Sequence, residues 1–370
     1  MRPWLLEYLV CPACAAGEIL VTRKDETHAI ATPAGVDEVI VSGVLGCAAC
    51  GGQYPVLDES PRLLAPDLMT PAERECLARP ARTARPGGPA LQRSDAEIKD
   101  MVARRIMADY GNPAAGPALR RARDDIAYQH VYEDKRIYQM QMIRRLLSRQ
   151  PDLVVDVGGG RGGNLRAARR AFEFSRGIAV DLDSEWPPLY RTGTRDVVYI
   201  RADATRLPLK TRCADLTISS FLLEHVRAWE SLVLEIRRVS RFAFLAFGPN
   251  RAFPYEFGHV DALLAHTLPP RLGAATAYLW DRMSGNRRSY ARLRQIIGGM
   301  NYITSRRYFA FCRARGLLVD NVFVEVLDAW ARAGVSGRRA RLAKHPGFLR
   351  SLAGTVAAAG LEPNVYSVMR

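Results

Sequence analysis

The sequence lacks any long hydrophobic run. No stretch reaches the ~18 consecutive apolar residues of a membrane span. The opening Met1–Val10 is too short for a secretory leader and carries Glu7, so a cytosolic protein is expected. Lysine is scarce: five residues (Lys24, Lys99, Lys135, Lys210, Lys344) of the 53 that are basic. An arginine bias this general weakens any step from the net charge of +15 to a nucleic-acid partner. The charge is also uneven, with residues 1–66 net acidic and the basic excess mainly in 251–370. Cysteine comes as seven residues, an odd number and few for the length, which excludes a disulfide scaffold. With 370 residues the chain exceeds the usual size of one core, and two domains are expected.

Four of the cysteines form Cys11-x-x-Cys14 and Cys47-x-x-Cys50. Two thiolates on each of two tight turns close a tetrahedral zinc site, and a rubredoxin-like iron site would use the same ligands. Cys76, Cys213 and Cys312 stand alone and read as buried or neutral thiols. Glu18–Thr22 and Glu38–Val44 have short-strand patterns, and Tyr54-Pro55-Val56-Leu57 resumes one after Gly51-Gly52. The segment is a small β-ribbon organised by its metal.

A stretch from Ala78 to Pro89 rich in Pro, Arg and Gly cannot hold a helix or a strand, and the interdomain connection is placed at 67–94. Ser94-Asp95-Ala96-Glu97 has capping-box spacing before Ile98, Met101, Val102 and Ile106, which starts a helix. A second helical pattern runs from about Leu119 to Leu147 and carries Tyr128, Tyr132 and Tyr138, for any one of which ordinary packing is the plainer role and a place over a ligand cleft the alternative.

The stretch around which the remainder is organised is Leu153-Val154-Val155-Asp156-Val157-Gly158-Gly159-Gly160-Arg161-Gly162-Gly163. It reads as a buried parallel strand turning sharply into a helix. Gly158, Gly160 and Gly163 fit the G-x-G-x-x-G spacing of a dinucleotide site, but Asp156 would set a carboxylate beside that ligand's pyrophosphate. The same carboxylate suits a ligand with an ammonium and a sulfonium, whose own carboxylate can take the helix N-terminus. Asp156, Gly158, Gly160 and Gly162 resemble the D-x-G-x-G-x-G motif of class I S-adenosylmethionine-dependent methyltransferases.

Beyond the loop, Gly177–Val180, Val197–Ile200, Leu216–Ile218 and Phe242–Phe247 alternate with helical patterns, the rhythm of a doubly wound α/β sheet. Ligands in such sheets sit at the carboxyl ends of the strands, where Asp181, Asp203-Ala204 and Ser219-Ser220 fall. The run from Arg201 to Leu209, with Ala214-Asp215-Leu216 and Phe221-Leu222-Leu223-Glu224-His225-Val226, resembles the branch that holds ubiquinone and menaquinone methyltransferases and many natural-product methyltransferases. The resemblance covers about residues 125–370. It implies a Rossmann-like methyltransferase fold over 95–370 and a cofactor set of Asp156, Gly158, Gly159, Gly160, Gly162, Asp181, Leu182, Asp203, Ala204 and Ser220. The Asn/Asp-Pro-Pro-Tyr turn of adenine-N6 and glutamine methyltransferases is replaced by Ser219-Ser220-Phe221-Leu222, which argues against those substrates.

Residues 1–66 resemble the zinc-ribbon family of tRNA-methyltransferase activators, through Leu5–Cys14, Cys47–Cys50, Tyr54–Asp58 and Pro61–Leu64. Glu59 replaces the usual glycine after the aspartate. The resemblance implies a ribbon that covers an apolar edge of a methyltransferase sheet, here fused to its client; a ribbon that only adds stability is the plainer alternative.

Gly248–Tyr308 is too long for a connecting loop. It holds an apolar piece (Leu263, Leu264, Leu268, Leu272, Tyr278, Leu279, Trp280) and then Arg282, Arg287, Arg288, Arg292, Arg294, Arg306 and Arg307. An apolar lid backed by arginines suits a small or lipid-like acceptor bearing an anion; arginines that merely solvate the lid's outer face are an equal alternative, and a membrane surface could also receive the lid. His259 and His225 are the candidate bases for a hydroxyl acceptor. The expected protein is an S-adenosylmethionine-dependent methyltransferase of a small or lipid-like metabolite, acting at oxygen. The alternatives are an RNA methyltransferase and a non-catalytic cofactor-binding scaffold. Nothing in the sequence fixes the oligomeric state.

Overall fold

The computed structural model describes residues 1–32, 35–80, 85–86, 136–160, 162–182, 197–256, 259–285, 287–332 and 346–370. Among the described residues twelve strands follow in chain order: β1 (Ile19–Thr32), β2 (Gly35–Cys47), β3 (Gln53–Leu57), β4 (Ser60–Leu63), β5 (Arg85–Pro86), β6 (Leu153–Val157), β7 (Arg176–Asp181), β8 (Val197–Ala202), β9 (Ala214–Ser220), β10 (Ser240–Phe247), β11 (Val319–Asn321) and β12 (Val365–Met369). They hydrogen-bond in the order β11-β12-β10-β9-β6-β7-β8-β4-β3-β2-β1-β5. The five strands from β8 to β10 across β6 run parallel, and β12 lies antiparallel between β10 and β11. The doubly wound α/β sheet expected from the sequence is present, with a reversed pair at one edge.

The opposite edge carries the ribbon. β4 pairs parallel with β8, matching Arg62 to Arg201 and Leu63 to Ala202, so the N-terminal strands extend the doubly wound sheet. Neighbouring backbone contacts reinforce this, with Lys210 N donating to the Tyr8 carbonyl at 2.8 Å and Val10 N to that of Pro208 at 3.1 Å. One core serves both parts: Leu5, Leu9, Leu63 and Leu64 pack with Val155, Ile200, Leu209 and Trp229. Val154, Leu216, Phe244 and Tyr366 fill the other face, the alternation that a strand buried on both sides imposes. Each leucine so enclosed contributes about 1.5–3 kcal/mol.

Differences from the sequence expectation have local causes. The hairpin of β1 and β2 pairs from Ile19↔Cys47 to Thr32↔Gly35, much longer than the two short patterns, because backbone pairing continues through polar residues such as Arg23, Asp25 and His28 that break the apolar pattern. Within the span 67–94, Pro71–Ala78 is helical, held by a capping box: Glu73 N donates to Thr70 Oγ1 and Thr70 N to Glu73 Oε2. The helix leans on the ribbon, where Arg23 donates to the Cys76 carbonyl at 2.5 Å and to that of Arg79 at 2.6 Å. The expected helix after Ser94, and Tyr128 and Tyr132, lie outside the described residues; residues 136–146 are helical.

After β10, the insert folds on its own small core of Val260, Ala262, Ala265, Ala274, Ala277, Leu293 and Ile297, built by the helices Pro270–Ser284 and Tyr290–Gly299. Asn250, fully buried, pins its start: the amide donates to the carbonyls of Gly360 and Glu362 and its oxygen accepts from Ala252 N and Ser305 N.

Candidate active site

The glycine loop follows β6 into the helix Gly163–Ala171. Gly158, Gly160 and Gly162 have φ of +73°, +46° and +75°, a region that only glycine enters without strain. Gly158 N and Gly159 N donate to the Val180 carbonyl at 2.8 and 3.1 Å, and Gly162 N to that of Gly159 at 2.7 Å. The first two bonds tie the turn to β7 and the third closes the turn on itself.

Asp156 lies beneath this loop, fully buried. Its Oδ1 accepts from Asn164 Nδ2 at 3.0 Å, while Oδ2 has no hydrogen-bond partner among the described residues. Burial pushes its pKa up to about 7; the Asn164 bond and the charge of Arg136 oppose that rise and Asp181 adds to it. A buried carboxylate with an unsatisfied oxygen is costly in a protein interior, and a cation arriving above it would relieve that cost.

The other predicted cofactor residues gather around the same rim. Asp181 Oδ2 accepts from Gly160 N at 2.8 Å, joining the end of β7 to the loop. Leu182 is exposed and its carbonyl accepts from Arg201 Nε at 2.9 Å. Asp203 Oδ1 accepts from the backbone N and Oγ1 of Thr205 at 2.8 and 2.7 Å, an Asx-turn that holds Asp203-Ala204 beyond β8. Ser220, at the end of β9, has a hydroxyl without a partner among the described residues.

The acceptor side is built from the segment after β9 and from the insert. A Cβ placed on Gly158 would lie 2.9 Å from Leu222, so the segment leading to Glu224 and His225 rests directly on the glycine loop. The His225 and His259 rings stand edge-to-face at 5.3 Å between centroids. His259 Nδ1 shares a hydrogen with Glu256 Oε1 at 2.8 Å. The other oxygen of Glu256 accepts from the backbone N of Val260 and Asp261 at 2.7 and 2.8 Å. Burial alone would raise the pKa of Glu256, but the bond from His259, its charge and the two amides hold it below the usual range. The carboxylate therefore orients the imidazole with Nε2 outward. His225 reaches solvent at one edge, yet protein crowds the rest of its ring; that burial and then the neighbouring His259 push its pKa down to about 4, leaving it neutral near pH 7.

Three contributors were missed in the sequence. Glu224 is buried and neither carboxylate oxygen has a hydrogen-bond partner among the described residues. Burial pushes its pKa up to about 8, although the amide N–H groups of Glu224 and Gly248 lie near enough to oppose this, and Glu256 adds to the rise. Glu256 stands three residues before His259, a spacing visible beforehand. Arg136 gave no signal: its guanidinium sits against Gly163, where an added Cβ would meet Nη1 at 2.4 Å. That places a cation at the helix N-terminus where the ligand's carboxylate is expected.

One expectation is corrected. Arg288 does not grip an acceptor anion: it is buried, chelates Asp281 through Nε and Nη2 at 2.8 and 2.6 Å, and donates to the carbonyls of His259 and Val260. It fixes the histidine loop instead. Arg307 pairs with Glu230 at 3.0 Å and Arg306 donates to the Ala359 carbonyl, so the arginines do not share one anion-binding face. The apolar lid residues Leu263, Leu264, Leu272 and Leu279 are exposed.

In the ribbon, one Sγ from each of Cys11, Cys14, Cys47 and Cys50 lies within 4.8 Å of the others. The pairs Cys11···Cys50 and Cys14···Cys47 are 3.7 Å apart. Four sulfurs about 2.3 Å from a central ion stand about 3.8 Å from one another at tetrahedral angles, whereas a disulfide needs about 2.05 Å. The spacing fits a metal. Gly17 admits it: a Cβ there would fall 2.1 Å from Cys47 Sγ.

Residues 155–242 match the family described as a methyltransferase domain. No curated protein matches the chain. Among solved structures, a chain of the complex between the Haloferax volcanii Trm112 methyltransferase activator and a methyltransferase is similar at 18% identity and a TM-score of 0.39, over 66% of this chain and 93% of that one. The plantazolicin methyltransferase BamL is similar at 12% identity and a TM-score of 0.40, over 74% and 98%. Phosphoethanolamine N-methyltransferase 2 of Haemonchus contortus is similar at 15% and 0.36, over 62% and 51%.

Proposed function

We propose that this chain, a methyltransferase by its 155–242 domain, takes the methyl group from S-adenosylmethionine and delivers it to a hydroxyl of a small or lipid-like acceptor. The observation that carries the reading is Asp156, a buried carboxylate with one oxygen unsatisfied beneath a glycine turn. When bound, the cofactor supplies an electrophilic methyl on a sulfonium. Asp156 and the loop of Gly158, Gly159, Gly160 and Gly162 receive its cationic end, with Arg136 and the helix N-terminus for its carboxylate. Asp181 and Leu182 flank the ribose and Asp203, Ala204 and Ser220 the base. Transfer is an in-line displacement, so the protein's task is to align the acceptor and dispose of its proton. His259, oriented by Glu256, and His225 form the cluster through which that proton leaves.

Cys11, Cys14, Cys47 and Cys50 would hold zinc, which supplies a cross-link that fixes the ribbon and, through β4, the β8 edge of the sheet. A reducing, cytoplasmic setting keeps these thiols available as ligands. The ribbon over 1–66 is then an activator domain in cis. The test is calorimetry of the full chain with S-adenosylhomocysteine and with NADH. Micromolar binding of the former and none of the latter is expected; the reverse would end the reading.

A further inference from the structure

Glu224 is unlike the other buried acids on the acceptor side. Asp281 is chelated by Arg288 and Glu256 accepts from His259 and two amides, but Glu224, 1% exposed, offers two oxygens with no partner among the described residues. It does not stand alone. A carboxylate oxygen of Glu224 and one ring nitrogen each of His225 and His259 all lie within 4.8 Å of one another. Ligands about 2.0–2.2 Å from one ion stand no further apart than about 4.4 Å, so small side-chain adjustments bring the three onto a common centre. Two imidazoles and one carboxylate, with other positions open, suit a divalent first-row transition-metal ion.

The surroundings favour the same occupant. His259 is held at Nδ1 by Glu256, which leaves Nε2 for a metal, and a carboxylate behind a ligating histidine is the usual outer support of such centres. Arg288 fixes the His259 carbonyl at 2.8 Å, so the ring stands on a rigid loop. Asn301 N donates to the Glu224 carbonyl at 2.6 Å and Asn301 Nδ2 to that of Val226 at 3.0 Å, bracing the two ligands that share the 3-10 turn Leu223–His225. Leu222 rests on Gly158, so the centre lies beside the methyl donor's loop.

We propose that Glu224, His225 and His259 form a second metal site, distinct from the four-cysteine ribbon, that holds a divalent transition-metal ion at the acceptor side. The use of the site rests on the methyltransferase reading: the ion would lower the pKa of an acceptor hydroxyl in an open position, whose oxygen would stay on the ion while the proton would leave to solvent. Its existence does not rest on that reading, and the test keeps the two apart.

Mn2+ is the probe, because it favours carboxylate and imidazole over thiolate and leaves the ribbon alone. Full-length protein carrying one zinc per chain, enough for the ribbon alone, is titrated with Mn2+ while the paramagnetic resonance of free Mn2+ is followed, and S-adenosylhomocysteine binding is measured in parallel. One Mn2+ bound per chain is expected, with at least a 10-fold loss of affinity in Glu224→Gln and in His225→Ala and about a 10-fold loss in Glu256→Gln, while zinc content and S-adenosylhomocysteine binding stay unchanged. Mn2+ that stays free, or binds equally well to both Glu224→Gln and His225→Ala, overturns the metal site. Should S-adenosylhomocysteine fail to bind while Mn2+ binds, the methyltransferase reading falls and the metal site stands.

Discussion

The seam between ribbon and sheet and the rim above the glycine loop both bury carboxylates, and they treat them oppositely. At the seam, Arg201 Nη1 donates to both oxygens of Glu73 at 2.8 and 2.6 Å, with Arg62 nearby at 3.7 Å. Glu73 also caps its helix, and Arg201 holds the Leu68 and Leu182 carbonyls. Every charge there has a partner. At the rim, Asp156 and Glu224 each keep at least one oxygen without a hydrogen bond among the described residues. A buried charge is tolerated when paired and expensive when not. The first arrangement serves folding, and the second is, on the reading proposed above, a place for a ligand that arrives later.

The largest expected effect comes from removing the seam's foundation. Cys11→Ser with Cys14→Ser should abolish metal binding, measurable as zinc per chain, and deprive the ribbon of a term on the order of 10 kcal/mol. The β8 edge is then bared, and the protein should become largely insoluble. Soluble, zinc-free, fully active protein would show that the seam does not depend on the metal.

Next is the seam pair. Arg201→Ala leaves Glu73 buried without its main partner and should cost about 3–5 kcal/mol in denaturant unfolding. Arg201→Met combined with Glu73→Leu should recover most of that loss. Because Arg201 also holds the Leu182 carbonyl beside Asp181, donor affinity should stay several-fold weaker in the double variant although stability returns; full recovery of both would mean the seam does not reach the cofactor rim.

At the rim the same kind of change should act the other way on stability. Asp156→Asn removes an unpaired charge, so the ligand-free protein should lose no stability near pH 8, while donor binding falls by about 2–5 kcal/mol, or roughly 30-fold upward. A matching drop in melting temperature would place Asp156 with the seam acids. His259→Ala should leave both stability and donor binding unchanged in calorimetry and lower turnover ~100-fold; unaltered turnover would remove His259 from the reaction.

Much of this division was legible in the chain. The two C-x-x-C pairs, the β6–glycine–helix turn and the acids at strand ends depend on local spacing, and spacing survives folding. Leu5, Leu9 and Leu63 read as ribbon residues, but their burial against Ile200 and Leu209 needed the β4–β8 pairing, a contact between segments about 140 residues apart that no periodicity encodes. Arg288 read as a surface cation because nothing local announces that Asp281, seven residues earlier, turns inward to meet it. Glu224 was passed over for its neighbour His225, since a glutamate at a helix-like turn is ordinarily solvated; only the fold shows that it is enclosed.

The account stands or falls on Asp156 as an ionisable seat for a positively charged donor. As an acid whose pKa is raised by burial to about 7, it lends stability to the ligand-free fold below the ordinary carboxyl range and withdraws it as pH climbs through 7, while the donor needs the ionised form. Calorimetric titration with S-adenosylmethionine at steps from pH 6 to pH 8 should therefore show affinity rising with pH in the natural protein and weak, level binding in Asp156→Asn. Equal affinities for the two proteins at every pH would contradict it.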